Sequence, residues 1–265
     1  MKFKLFCLVL LFTSALSGQN IALQLADSIT LPKNKFEQFI GVDTQENYYF
    51  SKYEVVTKTD GINEWVYANY ELGEPTSVSI LNVLQILIFY QGANTIILLD
   101  RFMNETQRID LNSLNPPKII GWVENTKNQE AWLLNSISNR LEVYNYRNNL
   151  LLSQTIPFLQ QPKDLAADFS FSFVLFDTEI CKFNTYGTQI SCMPVSNIEK
   201  LFVGDKYVAG ISSESEIIIF NKSLKLLGST KIPKNSVEDF SVKNEKLYIY
   251  AGSHVYTYLV NLPTK

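Results

Sequence analysis

Apolar residues in this chain fall in short runs separated by clusters of Asn, Asp, Ser, Gly and Pro, and no stretch holds a 3.6-residue period long enough for a helix. Runs of that length bounded by turn formers read as β-strands. The best helical candidate, 158–168, is interrupted by Pro162.

The strands recur. Asn94-Thr-Ile-Ile-Leu-Leu-Asp100, Asn139-Arg-Leu-Glu-Val-Tyr-Asn145, Thr178-Glu-Ile-Cys-Lys-Phe-Asn184 and Ser215-Glu-Ile-Ile-Ile-Phe-Asn221 each end in a large apolar residue followed by Asn or Asp. Their last residues lie 45, 39 and 37 positions apart, and Tyr53 to Thr59 and His254 to Val260 are looser copies. Pro32-Lys33, Pro117-Lys118, Pro162-Lys163 and Pro233-Lys234 repeat with the same period, with Glu74-Pro75 and Met193-Pro194 as weaker members. Proline suits strand starts and turns because it cannot donate to a ladder.

Each unit reads as an inner strand (39–43, 78–81, 119–122), a second strand (47–50, 85–90, 131–134, 247–250), the marker strand, and a closing strand such as 151–156. Four strands in about 40 residues is the spacing of a propeller blade. The expected fold is an all-β, six-bladed β-propeller. The last unit, 236–262, has room for three strands, so the segment Ile21 to Thr30 is expected to complete it and close the ring. An open two-sheet sandwich or two separate β-domains is the competing architecture.

Composition narrows the function classes. With 46% hydrophobic and 18% charged residues the chain has material for a large core and little tendency to disorder. Lys2 and Lys4, the apolar run Leu5 to Phe12 and the small residues that follow form a secretory signal over 1–18, cleaved near Gln19; a buried N-terminal element is the alternative. The expected mature unit is a single domain over 19–265, periplasmic and not membrane-inserted, since no later stretch reaches the ~18 apolar residues of a membrane helix. Without the signal, 21 basic residues face 26 acidic ones. That balance argues against nucleic acid, which requires basic patches.

Candidate chemistry is sparse. One histidine, His254, excludes multi-histidine metal sites, and neither a phosphate loop nor an HExxH or CxxC pair occurs, so no cofactor or metal is expected. Asp43, Asp100, Asp168 and Asp177 stand at strand ends, where carboxylates cap turns, and no spacing selects a catalytic pair. Cys181 and Cys192 flank Thr185-Tyr186-Gly187-Thr188. A turn centred on Tyr186-Gly187 sets them opposite each other as a disulfide; a bulge at Gly187 leaves two thiols. Trp65, Tyr67 and Tyr70 share one polar stretch, and Trp122, Trp132, Tyr144 and Tyr146 occupy another. Such residues serve as interface anchors or as packing between blades; Trp65, Tyr67 and above all Tyr70 are the interface candidates.

The segment Leu81 to Asp100 resembles one found in small exported propeller-like proteins of Bacteroidota, which share a Phe-Tyr strand followed by a Val-Leu-Leu-Asp strand; here Val83 replaces their usual turn proline. The resemblance extends more loosely over the rest of the chain. It implies a periplasmic protein without enzymatic activity, and the group includes the plug-type subunit at the periplasmic mouth of the type 9 secretion translocon. No motif carries that role, so no site residue is transferred. The expectation is a protein-protein interaction subunit of an outer-membrane assembly. The alternatives are an enzyme or small-ligand binder using a central channel, and a glycan-binding propeller.

Overall fold

A computed structural model describes residues 19–32, 35–127, 129–232, 239–243 and 245–261. The proposed signal segment and the Pro233-Lys234 marker lie outside them. Among the described residues, strands β1 (Gln19–Asn20) and β2 (Ala22–Thr30) come first, and 23 more follow.

Six antiparallel sheets form six blades. Blade 1 holds β3 (Gln38–Val42), β4 (Tyr48–Lys52), β5 (Val55–Thr59) and β6 (Glu64–Ala68). Blade 2 holds β7 (Ser77–Ser79), β8 (Ile86–Tyr90), β9 (Thr95–Leu99) and β10 (Glu105–Asp110). Blade 3 holds β11 (Ile120–Asn125), β12 (Glu130–Asn135), β13 (Arg140–Asn145) and β14 (Leu150–Gln154). Blade 4 holds β15 (Asp164–Ala167), β16 (Phe171–Leu175), β17 (Glu179–Asn184) and β18 (Gln189–Pro194). Blade 5 holds β19 (Ile198–Val203), β20 (Tyr207–Ser212), β21 (Glu216–Asn221) and β22 (Leu226–Lys231). Blade 6 holds β23 (Asp239–Lys243), β24 (Lys246–Tyr250) and β25 (His254–Asn261), and β2 is its outer strand, running from Ala22 opposite Asn261 to Thr30 opposite His254. The chain is an all-β six-bladed propeller whose last blade is closed by the N-terminal strand. A feature without sequence signal accompanies the closure: β1 pairs in parallel with β22, so residues 19–30 bind blades 5 and 6 at once.

The marker strands are the third strands, and their terminal Asn or Asp folds the turn that follows. Asp100 Oδ1 accepts from the amides of Phe102 (2.8 Å) and Asn104 (2.9 Å). Asn184 Oδ1 accepts from those of Tyr186 and Thr188, both at 3.0 Å, and Asn221 Oδ1 from those of Ser223 and Lys225, both at 2.9 Å. An Asx side chain satisfying two turn amides is the reason the repeat ends on this residue type. The described Pro-Lys markers fall on or just before the connections to each next inner strand.

The core consists of six apolar layers, one between each pair of neighbouring blades. A second strand therefore buries both faces: Ile86 and Ile88 pack against blade 1, while Leu87 and Phe89 pack against blade 3. That double burial explains continuous apolar runs where a one-sided sheet would alternate. The sixth layer sets Phe39 and Phe50 against Tyr248 and Tyr250, which seals blade 1 to blade 6. Each outer strand of blades 2 to 6 carries a one-residue bulge, the kind of break that blunts an exposed edge.

Candidate functional site

The inner strands enclose a central channel of about 630 Å³. Its lining is mixed, with Ile40, Ile80 and Trp122 beside charged side chains. Charge is unevenly balanced along it. All three lining lysines have carboxylate partners: Lys163 with Asp177 (2.7 Å), Lys200 with Asp239 (3.7 Å) and Lys243 with Asp205 (3.6 Å). Glu124 and Asp164 have no ion pair among the described residues.

Two of the channel carboxylates tie blades together. Asp164 begins β15 and accepts from the Leu165 amide (2.9 Å) and from the Leu201 amide of blade 5 (2.7 Å). Asp239 begins β23 and accepts from the Phe240 amide (2.8 Å), with a second backbone bond from Phe39 of blade 1. Burial pushes both above the usual carboxylate range, against the pull of Lys200. Glu124 accepts from Ser79 Oγ of blade 2 at 2.7 Å. It faces the channel and is half-buried in its wall. Desolvation, aided by the Asp164 charge, raises its pKa to about 8.

A second feature lies on the rim. Antiparallel blades place their second-to-third turns and blade-to-blade connections on one face of the ring. At blade 3 that face exposes Ile119, Ile137 (67%), Ile156 (84%) and Leu159 (103%). Hydrogen bonds make this one surface: the Ser136 amide donates to Ile119 O (2.8 Å), and Asn139 Nδ2 donates to Phe158 O (2.7 Å). Phe158, beneath it, packs edge-on against Phe176.

The sequence candidates separate by burial. Tyr70 is 77% exposed beyond β6. Trp65 is half-buried with Lys58 Nζ 5.1 Å from its ring centre, and Tyr67 is buried between blades 1 and 2, its hydroxyl donating to Glu105 Oε2 (2.7 Å). The three do not present one aromatic surface. Trp132, Tyr144 and Tyr146 are also packing residues, and Trp122 alone of that group reaches the channel. Asp43, Asp100 and Asp168 cap turns and Asp177 pairs with Lys163, so these four do not converge. His254 Nδ1 lies 2.9 Å from Ser253 Oγ, and its ring stacks on Tyr256.

Cys181 and Cys192 form a disulfide across β17 and β18. The turn centres on Tyr186, and the bulge sits at Ile190 rather than Gly187, which restores the register that brings the cysteines opposite. Glu179 lies close enough to both sulfurs to complete a three-ligand group within 4.8 Å, but the disulfide occupies the sulfurs. Sequence reasoning passed over Glu124, which an apolar strand, Ile120 to Val123, carries to the channel. It also passed over Lys58 and Lys182. These occupy equivalent third-strand positions in blades 1 and 4, and each donates to a backbone carbonyl of the next blade, Arg101 O (2.9 Å) and Lys222 O (2.8 Å).

No protein-family model and no curated protein matches the chain. Many solved structures share its fold. The β-propeller domain of Cps50 (Swd1) from Myceliophteria thermophila superposes with a TM-score of 0.62 at 11% identity, over 91% of this chain and all of that one (100%). A streptogramin B lyase matches with a TM-score of 0.62 at 10% identity, over 91% and 98% of the two chains. PorZ, a surface component of the type-IX secretion system of Porphyromonas gingivalis, matches with a TM-score of 0.54 at 12% identity, over 91% of this chain and 40% of PorZ. These identities establish the propeller fold. The lyase among them is an enzyme, so the shared fold does not by itself decide between binding and catalysis.

Proposed function

We propose that the protein is an exported, non-enzymatic propeller that binds another protein as an accessory subunit of an outer-membrane assembly, a protein translocon being the leading candidate. The observation that carries the binding role is the apolar surface at blade 3. Four large aliphatic side chains from two connections and a turn stand exposed together, and none of them serves the core. Contiguous exposed apolar groups of this kind mark docking sites. The periplasmic location is supported by the signal-like pattern over 1–18, and the translocon partner by the resemblance to the Bacteroidota proteins. The non-catalytic reading is supported by candidate acids that are spent on capping turns and joining blades.

The test is capture of the tagged, natively exported protein from gently solubilised envelope, with co-purifying proteins identified by mass spectrometry. A stoichiometric outer-membrane partner is expected, and Ile137→Asp with Leu159→Asp should abolish its recovery while leaving the melting temperature unchanged. A protein recovered alone would overturn the scaffold reading, and capture that survives both substitutions would move the docking surface elsewhere.

A further inference from the structure

The channel carries chemistry that protein docking on the outer rim does not use. Trp122 and Glu124 are two residues apart on β11 and so project from the same face of that strand, and both line the cavity. Asp164 stands on the adjacent inner strand, close enough for its charge to act on Glu124. Every lysine of the wall is already paired with a carboxylate, and although the Lys200 charge reaches Asp164, neither Glu124 nor Asp164 has an ion pair of its own among the described residues, beside a half-buried indole. We infer that the channel segment bounded by Trp122, Glu124, Asp164 and Ser79 is a binding site for a small organic ammonium ion.

The donor set selects this ligand class. An ammonium group can donate to a carboxylate on each side and lie against the Trp122 face, where cation–π attraction adds to the ion pairing. A calcium ion requires six or more oxygens. Here one Glu124 oxygen is taken by Ser79, and Asp164 is already holding two backbone amides. An anion would meet two acids. The volume, about 630 Å³, lies within the ordinary range for small-molecule sites.

Binding is coupled to a proton. The charged groups that line the channel with Glu124 are Lys163 (paired with Asp177), Asp164 from β15, Glu199 and Lys200 from β19, and Asp239 and Lys243 from β23; β7 contributes the Ser79 hydroxyl and β3 the neutral Gln38. Of these, Lys200 and Lys243 are held by Asp239 and Asp205. With its pKa near 8, Glu124 carries a proton at neutrality and must lose it to pair with a cation. The ionised fraction of such a group rises roughly twentyfold between pH 6.5 and pH 8.5, and the affinity should rise with it.

The experiment is calorimetric titration of the full chain with 1,4-diaminobutane, agmatine and choline at both pH values. Calcium chloride, glutamate and glucose serve as comparison ligands, and ligand-observed NMR is the second readout. At least one ammonium probe should bind saturably, about twentyfold tighter at the higher pH. Glu124→Gln keeps a group that accepts from Ser79 but should weaken binding and remove its pH dependence. The wild-type pH profile needs no substitution, so it decides the matter even where the variant fails to fold. Absence of binding by every ammonium probe at pH 8.5 would overturn the inference. So would binding confined to calcium, glutamate or glucose, or ammonium binding unchanged by pH and by Glu124→Gln. The measurement uses isolated protein, so its outcome is separate from that of partner capture.

Discussion

Replacing both Cys181 and Cys192 with alanine tests how much the blade 4 disulfide contributes. The bridge joins positions 11 apart in sequence, across the third and outer strands. Closing a loop of this size removes unfolded-chain entropy worth about 3 kcal/mol. Alanine is the right replacement, because Cys181 is buried against blade 3 and serine would leave a hydroxyl there. For a chain of this length about 3 kcal/mol corresponds to a fall in melting temperature of roughly 6–12 °C. The assay is thermal unfolding followed by circular dichroism, with and without a phosphine reductant. Reduced wild type and untreated variant should melt together, well below the oxidised protein, and reductant should not shift the variant. A difference under about 1 kcal/mol would refute the loop-closure argument, since the hairpin would then be held in the unfolded chain by other means.

Gly187→Ala should destabilise the fold by about 2–4 kcal/mol in denaturant titration, because the residue sits at φ +76° and a Cβ there would lie 2.4 Å from the Gln154 carbonyl oxygen of blade 3. Glu142→Ala should cost about 3–5 kcal/mol, since it strands the buried ammonium of Lys118, now 2.5 Å from Glu142 Oε2; restoration of stability by adding Lys118→Met would confirm the cause. Glu124 makes stability depend on pH. A carboxyl raised from 4.5 to about 8 by folding binds a proton that the unfolded chain lacks between those values. Stability should therefore fall as pH rises through that window, and Glu124→Gln should flatten that part of the curve in urea titrations.

The repeat was legible because its markers carry local chemistry. Asp100, Asn184 and Asn221 cap their own turns within four residues, so their identity shows in the sequence whatever surrounds them. Second strands such as 86–90 were legible as strands for the opposite reason: neighbours on both sides leave no polar positions. What could not be read depends on contacts between blades. Tyr67 and Tyr70 are three residues apart and equally aromatic, yet only the inter-blade layer decides that one is buried and the other exposed. The bulge at Ile190 follows from how an outer strand must bend, and nothing in Gln189-Ile190-Ser191 announces it. Glu124 looks like any strand-end acid until five other inner strands are placed around it.

The pairing of β2 with β25 has a consequence for the order of events in folding. Ala22 must find Asn261, at the far end of the described residues, and the entropy of closing so long a loop is about 5 kcal/mol before any ladder bond forms. While the chain emerges N-terminus first, β1 and β2 have nowhere to dock, since β22 and β25 arrive last. The ring stays open until the strands of blade 6 have been made. A protein assembled in this way remains threadable for most of its synthesis and becomes locked only when the last blade is in place.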